Sequence, residues 1–379
     1  MRIVYIIDSL AHTGGAERII SEKMNYLAEL GVYDVYVITC YQFPQNCPNS
    51  YYLSEKVKQV DLCIPVYQQY KYKYPKRLFV KWRFYRRLYH KLEKAVDSIN
   101  PDILIGMSYE LGNVVCNIKC KAAKIIESHE ARVFTMSGLQ YKTNPFFNKI
   151  YRYFYLRTIE KNADVVVTLT HSNALEWRKA KRVEIIPNFS SMSITKISDC
   201  ETKRIISVGR LEWQKGYDRL IDVWKIVSKK YPDWKLDIYG KGTLELELRN
   251  IIKKTELDNI SIHHFTKDIC TEYINSSICV LTSRFEGFSL VLLEALRHGL
   301  PCVTFNCPFG PEDVIDNNKC GYVVENGNIK LFADKLCFLM KNIETRKAFS
   351  KAAIEKASLY NKDSIMQQWD TLFKSLSTR

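Results

Sequence analysis

Ser283-Arg-Phe-Glu-Gly-Phe-Ser-Leu-Val-Leu-Leu-Glu294 decides how this chain of 379 residues is read. The apolar run Ile278–Leu281 before it has the length and β-branched content of a buried parallel strand. Leu290–His298 after it reads as a helix, with Ser289 as the N-cap. A strand, a short loop and a helix in that order make half of a βαβ unit. In an open α/β sheet, the loop at the strand's C-terminal end is where ligands bind. The helix N-terminus beyond it favours an anion, because its first N–H groups are unpaired and its dipole is positive there.

Working outward from this stretch, the second half alternates strands and helices. Strands are expected at Arg204–Val208, Leu236–Tyr239, Ile260–His264, Ile278–Leu281, Cys302–Phe305 and Tyr322–Val324. Helices are expected at Tyr217–Lys230 and Leu244–Thr255. The first half does the same. Its strands are Ile3–Ile7, Val35–Thr39, Val57–Ile64, Ile103–Gly106, Lys124–Glu127, Val165–Leu169 and Val183–Ile186. Its helices are Ala16–Leu30, Pro75–Ile99, Asn144–Asn162 and Ser172–Lys179. Such alternation implies parallel sheets with helices on both faces. The polar, serine-rich Pro187–Ser198 reads as a linker. The length suits two cores.

Composition narrows the class. A hydrophobic fraction of 46% and a charged fraction of 26% are those of a soluble globular protein. No apolar run reaches the length of a membrane span. The opening Arg2–Ile7 is too short for a signal segment, so a cytoplasmic location is expected. Twelve cysteines are scattered without a Cys-x-x-Cys. Cys116/Cys120 and Cys302/Cys307 have no histidine at zinc-finger spacing, so they read as buried thiols rather than metal ligands.

Charge is unevenly placed. Residues 1–195 hold 28 Lys/Arg against 17 Asp/Glu, a net +11, whereas the remainder is +4. The excess peaks in 67–94, with ten basic residues, one acidic residue and nine aromatics. Phe79, Trp82, Tyr85, Leu88, Tyr89 and Leu92 fall at helical spacing and read as a core-facing stripe. Lys81, Arg83, Arg86, Arg87 and Lys91 read as the opposite, basic face, suited to an anionic membrane surface. With its aromatics turned inward, the segment does not suit nucleic acid, whose single strands stack on exposed rings.

Two carboxylates, Glu286 and Glu294, flank the expected anion site. They suit a ligand with hydroxyls on both sides of a phosphate, such as a nucleotide-sugar. Arg210 and Lys215 follow the strand Arg204–Val208, with Gly209 and Gly216 allowing close backbone approach. Both cations suit a diphosphate and the charge that grows on it as a glycosidic bond breaks. Glu294 lies in a strongly apolar helix and needs a polar partner there. Gly287, Phe288, Ser289 and Leu290 are candidates to present backbone N–H groups to phosphate. Gly14 and Gly15 lie between the first strand and a helix, without the Gly-x-Gly-x-x-Gly spacing of a dinucleotide site. His129 stands at a strand end. His263 and His264 are adjacent, point to opposite faces and read as structural.

The segment from Glu286 to Glu294 resembles the Glu-x7-Glu signature of retaining glycosyltransferases of family four. Gly14-Gly15-Ala16-Glu17-Arg18, Val208-Gly209-Arg210-Leu211 with Lys215-Gly216, Gly299-Leu300-Pro301 and Phe309-Gly310-Pro311-Glu312 match the family in kind and order. At His129 the chain reads Ser-His-Glu where many members read Ser-Glu-His. The resemblance implies the GT-B fold: α/β, two Rossmann-like doubly wound domains facing across a cleft. Residues 1–187 would bind acceptor, 188–203 would link, 204–360 would bind the nucleotide-sugar, and 361–379 would return as a helix to the first domain.

The implied activity is metal-independent, retaining transfer of a hexose from a UDP-linked donor to a glycan or lipid-linked acceptor in surface polysaccharide synthesis. Glu286, His129, Arg210 and Lys215 would act at the reacting sugar and diphosphate, and Glu294 would hold the ribose. No cofactor beyond the donor is expected, and the absence of an Asp-x-Asp triplet argues against a metal. The basic stretch 67–94 would attach the enzyme peripherally to the inner face of the membrane. Three competitors remain: a UDP-sugar 2-epimerase-like enzyme on the same fold, a basic nucleic-acid-binding protein, and a non-enzymatic two-lobed sugar-binding protein.

Overall fold

A computed structural model describes residues 1–42, 47–73, 75–107, 109–129, 153, 156–192, 194–264, 266 and 268–377. The chain divides into two compact units, one of residues 1–186 with 366–379 and the other of residues 187–365.

In the first unit the described strands are β1 (Arg2–Ile7), β2 (Asp34–Thr39), β3 (Lys58–Asp61), β4 (Ile103–Gly106), β5 (Ala123–Ser128), β6 (Val165–Thr168) and β7 (Val183–Ile185). The helices that accompany them are α1 (Gly15–Glu29), α2 (Lys76–Ile99), α3 (Tyr109–Asn117) and α4 (His171–Ala174). The sheet is parallel, in the order β3-β2-β1-β4-β5-β6-β7. The order reverses direction between β1 and β4, so the switch point lies at their C-terminal ends.

The second unit repeats this plan with β8 (Arg204–Val208), β9 (Lys235–Tyr239), β10 (Ile260–His263), β11 (Ile278–Leu281), β12 (Cys302–Asn306) and β13 (Gly321–Glu325). Its helices are α5 (Tyr217–Lys230), α6 (Glu245–Lys254), α7 (Ile269–Ile274), α8 (Leu290–Arg297), α9 (Pro311–Val314), α10 (Ile329–Lys341) and α11 (Ile343–Ser358). The sheet order is β10-β9-β8-β11-β12-β13, again parallel, with the switch between β8 and β11. A last helix, α12 (Lys362–Ser377), closes the chain.

The strands are apolar because helices cover both faces of each sheet. All four residues of β4 and of β11 are buried. The second core is built around Trp224, Phe305, Phe332 and Leu336. The first is built around Leu88, Leu92, Leu104, Ile126 and Trp177. Its C-terminal portion is tied in by Asp370, which accepts a hydrogen bond from Tyr33.

The strand expectations hold throughout. β3 is shorter than the expected Val57–Ile64, and Ser172–Lys179 is a short helix followed by a 3₁₀ turn at Leu175–Trp177. Most of the expected helix Asn144–Asn162 lies outside the described residues. The helices α3, α7, α9, α10 and α11 had no counterpart in the sequence reading.

One expectation is corrected in α2. Leu88, Leu92 and Val96 are its buried residues, whereas Phe79 and Trp82 are 61% and 55% exposed. All the buried residues of this long helix lie in its C-terminal half, so helical spacing alone overestimates the buried stripe. None of the described helices is long and apolar enough to cross a membrane.

A buried guanidinium joins α10 to α11. Arg346 is 4% exposed and donates to the carbonyls of Cys200 (2.9 Å), Leu339 (2.6 Å) and Met340 (2.9 Å). The last two belong to the final turn of α10, whose carbonyls have no partner within the helix. The same guanidinium lies 5.2 Å from the Trp234 ring centre. Arg346→Met removes three hydrogen bonds from buried carbonyls. It is expected to lower stability by about 2–4 kcal/mol in urea titrations.

Candidate functional site

The loop after β8 is shaped by close backbone contact. Gly216 is in the left-handed region (φ 66°, ψ 34°) at the start of α5, and a Cβ there would lie 2.2 Å from the Thr282 carbonyl oxygen. The Thr282 hydroxyl donates to the Gly216 carbonyl at 2.9 Å, which closes the loop after β8 onto the end of β11. On the other side, a Cβ on Gly240 would lie 1.9 Å from the Gly209 carbonyl oxygen. The β8 loop is thus clamped between the loops of its two neighbouring strands, with a 3₁₀ turn at Trp213–Lys215 inside it.

That clamp brings together residues 71 positions apart. Lys215 Nζ lies 2.7 Å from Glu286 Oε1, and the Ser283 hydroxyl donates to the same oxygen at 2.5 Å. The Lys215 side chain is 12% exposed and that of Glu286 6%. A carboxylate and an ammonium removed from water at this level require each other. The two neighbouring loops are also laced together. Gln214 donates through Nε2 to the Phe285 carbonyl (3.0 Å), and its own carbonyl accepts from the Arg284 N–H (2.7 Å). Arg284 grips Asp218 with two contacts (2.9 and 2.6 Å), donates to the Trp213 carbonyl (2.7 Å) and stacks 4.5 Å from the Trp213 ring centre. Burial works against the charge on Asp218, but Arg284 outweighs it and holds the carboxyl below its ordinary value. Exposed Arg210 donates to Gln214 Oε1 at 3.1 Å.

Two further groups stand beside Glu286. Burial raises the Tyr217 hydroxyl's pKa, opposed by the Ser207 hydroxyl and assisted by Glu286. The Cys307 thiol is likewise raised by burial, with Glu286 adding to it. The segment after Cys307 closes on the same point: the Glu286 N–H donates to the Pro308 carbonyl at 3.2 Å. Phe309 there has φ 64°, rare for a bulky residue, and is followed by Gly310 at φ 117°. Strain of this kind concentrates where a fold supports a functional loop.

The helix α8 begins as the sequence suggests. The Ser289 hydroxyl accepts from the Leu292 N–H at 3.4 Å and caps it. Gly287, Phe288 and Ser289 form the turn leading into it, while the Leu290 N–H is already engaged by the Phe288 carbonyl (3.1 Å). Glu294 is 5% exposed, and its Oε2 accepts from the Tyr273 hydroxyl at 3.4 Å. Tyr273 stacks on His298 at 5.2 Å, and His298 Nδ1 lies 2.7 Å from the Glu294 carbonyl oxygen.

Gly14, Gly15 and His129 belong to the first unit, at the C-terminal edge of its sheet. Gly14 is the N-cap of α1, immediately after the segment that leaves β1. His129 follows β5. Its Nε2 lies 3.0 Å from Glu127 Oε1, and Glu127 is fully buried against Lys23. Burial opposes the Glu127 charge, but Lys23 and His129 outweigh it and hold the carboxyl at about 2.

The comparisons with known proteins decide the family. Residues 13–190 match the family described as Glycosyltransferase Family 4, and residues 195–356 match Glycosyl transferases group 1. The chain belongs to glycosyltransferase family four. This glycosyltransferase is 29% identical to an uncharacterized glycosyltransferase of Haemophilus influenzae, over 97% of this chain and 98% of that one. It is 28% identical to the amylovoran biosynthesis glycosyltransferase AmsD of Erwinia amylovora, over 98% and 99% of the two chains. A Staphylococcus aureus TarM structure in complex with fondaparinux, alpha-GlcNAc-glycerol and UDP superposes with a TM-score of 0.76 at 16% identity, covering 98% of this chain and all of that one. The two parallel α/β sheets of this glycosyltransferase make the GT-B fold.

Sequence reasoning in this glycosyltransferase missed Gln214, Asp218, Ser283 and Arg284, which orient the expected residues without standing out by type or spacing. Only Arg284 and Ser283 sat inside the quoted motif. The direct Lys215–Glu286 contact was also unforeseen. Gly216 tests the clamp that creates it. Gly216→Ala places a methyl group against the Thr282 carbonyl in a backbone region alanine disfavours. It should lower stability by about 1–3 kcal/mol in urea titrations.

Proposed function

We propose that this glycosyltransferase moves a hexose from a UDP-linked donor to a glycan or lipid-linked acceptor in surface polysaccharide synthesis, with retention and without a divalent metal. The observation that carries the reading is the buried Lys215–Glu286 pair at the switch point of the second sheet, beside Arg210 and the start of α8. Lys215 and Arg210 supply the positive charge that a diphosphate needs, with N–H groups of Gly287, Phe288 and Ser289. Glu286 Oε1 is occupied by Lys215 and Ser283, which leaves Oε2 for donor-sugar hydroxyls. Glu294 accepts from the ribose diol. His129 and the Gly14–Gly15 loop serve the donor sugar and the acceptor side. UDP stands in the TarM complex and polysaccharide synthesis in the description of AmsD, and both favour this assignment.

Chemically, the acceptor hydroxyl attacks the anomeric carbon on the face that the diphosphate leaves. The carbon–oxygen bond to the phosphate breaks as the new glycosidic bond forms, and the departing phosphate oxygen takes the acceptor's proton. The cations and N–H groups around the diphosphate stabilise the charge that develops on it. Glu286, pinned by two partners, orients the sugar and forms no covalent bond.

The two glutamates separate under test. In calorimetry with EDTA present throughout, Glu294→Gln should weaken UDP binding about tenfold or more, the loss of a charge-assisted hydrogen bond. Glu286→Gln should bind UDP within about twofold of wild type and lose turnover instead, because its contact is at the reacting sugar. Equal loss of UDP affinity in both variants, or no UDP binding by the wild type in EDTA, overturns the assignment.

The exposed start of α2 favours a membrane-linked acceptor. Phe79 and Trp82 stack on each other (6.0 Å, 28°) in solvent, and Arg86 lies 5.4 Å from the Trp82 ring centre. With Arg83 and Arg87 they line a surface hollow of about 530 Å³. Arg83, Arg86 and Arg87 have no acidic partner among the described residues. Each cation contributes about 1 kcal/mol near an anionic leaflet, and aromatic rings insert at the headgroup level. Wild-type protein should co-sediment with phosphatidylglycerol vesicles at low salt and less so at physiological salt. Changing the three arginines to Gln should leave it in the supernatant with UDP binding intact. Wild type that ignores vesicles, or prefers a single-stranded oligonucleotide, refutes this attachment.

A further inference from the structure

Behind His129 stands a charged pair that donor binding does not use. Lys23 on α1 and Glu127 on β5 are both fully buried, and their side chains are in contact. The Lys23 ammonium lies 4.5 Å over the Trp369 ring, which holds it from the far side. Apolar residues of similar volume often stabilise a core as well as a buried ion pair does, so such a pair is weak evidence of a stabilising role. Its position is specific. Glu127 is two residues before His129, which places both on one face of the strand as it ends. The Glu127 oxygen that meets Lys23 also lies 3.0 Å from His129 Nε2. The other oxygen, Oε2, is buried without a hydrogen-bond partner, as are the neighbouring Tyr5 hydroxyl and His129 Nε2 itself, whose 3.0 Å approach to Oε1 is a close contact without hydrogen-bond alignment. Burial raises that phenol's pKa and Glu127 raises it further.

We infer that Glu127, held in place by Lys23, is a positioning residue for His129: its Oε1, 3.0 Å from Nε2, draws the ring proton to that nitrogen and leaves the Nδ1 lone pair as the atom presented at the strand end. A carboxylate behind a histidine sets the tautomer and the ring orientation in the same way where histidines hold metals. The Nδ1 lone pair then accepts a hydrogen bond from a donor-sugar hydroxyl. The inference rests on the reading that gives His129 a place at the donor sugar. It predicts that the pair acts on turnover through the ring.

The test uses the full chain with 15N-labelled histidine, and the His129 resonances are assigned by their loss in His129→Asn. In alkaline buffer, long-range proton–nitrogen correlations should show His129 protonated on Nε2 in the wild type. The double variant Lys23→Met/Glu127→Leu removes both charges at similar volume. It should keep a cooperative thermal transition and lose the single tautomer. With UDP-glucose and UDP-N-acetylglucosamine as donors, its UDP release should fall about tenfold in kcat, with KM within about twofold. Lys23→Met/Glu127→Gln keeps an oxygen acceptor and should restore both readouts. A proton on Nδ1 in the wild type overturns the inference, whether or not the variants fold. So does an unchanged tautomer in the Leu variant. His129→Asn with wild-type turnover would defeat the placement of His129 at the sugar, while the tautomer readout, which needs no donor, still judges Glu127.

Discussion

A lysine and a glutamate taken out of water together at the ends of adjacent parallel strands set the terms for the second unit. Burying the charge of Lys215 or of Glu286 alone would be unfavourable, since desolvating an isolated ion costs several kcal/mol. Their 2.7 Å contact requires the loops after β8 and β11 to meet within hydrogen-bond reach. Much of the surrounding sequence serves that approach. Gly216 and Gly240 remove the Cβ atoms that would hold the loops apart. Gln214 and the Arg284–Asp218 contact fasten one loop to the other. The strained turn at Phe309 and Gly310 closes the third side.

The first unit contains a second pair of the same chemistry, Lys23 with Glu127, again at the C-terminal edge of a parallel sheet. The two pairs differ in access. Lys215 and Glu286 retain some exposure, so a ligand can compete for either partner. Lys23 and Glu127 have none, and Glu127 also contacts His129, whose side chain is 8% exposed. In both units a carboxylate at the C-terminal end of a parallel strand, or in the loop just beyond it, meets a lysine from another element. A glycosyltransferase of this family thus places its charged groups where the fold allows them at least structural cost.

Secondary structure was legible because both sheets are parallel and buried on both faces. Such strands appear as short, nearly unbroken apolar runs, and the thirteen expected strands are all present. Helices were less legible. Strong amphipathic segments such as Tyr217–Lys230 were read to the residue. Short or mixed ones, such as Ile269–Ile274 and Pro311–Val314, owe their existence to the loops that precede them. The error at Phe79 and Trp82 has the same origin. Periodicity reports which residues share a helix face, but whether another element covers that face is decided by tertiary packing.

The sequence by itself determined the family signature and the two-unit plan, with Gly209, Arg210, Lys215, Glu286 and Glu294 at strand and helix ends. These follow from local spacing, because a strand–loop–helix order places a residue at a sheet edge whatever its distant neighbours are. Tertiary structure alone decided which groups meet. The contact of Lys215 with Glu286, of Tyr273 with Glu294, and of Lys23 with Glu127 and His129 each joins separate elements of one unit. Strand order decides such contacts, since β8 lies beside β11 only after the chain has passed through β9 and β10.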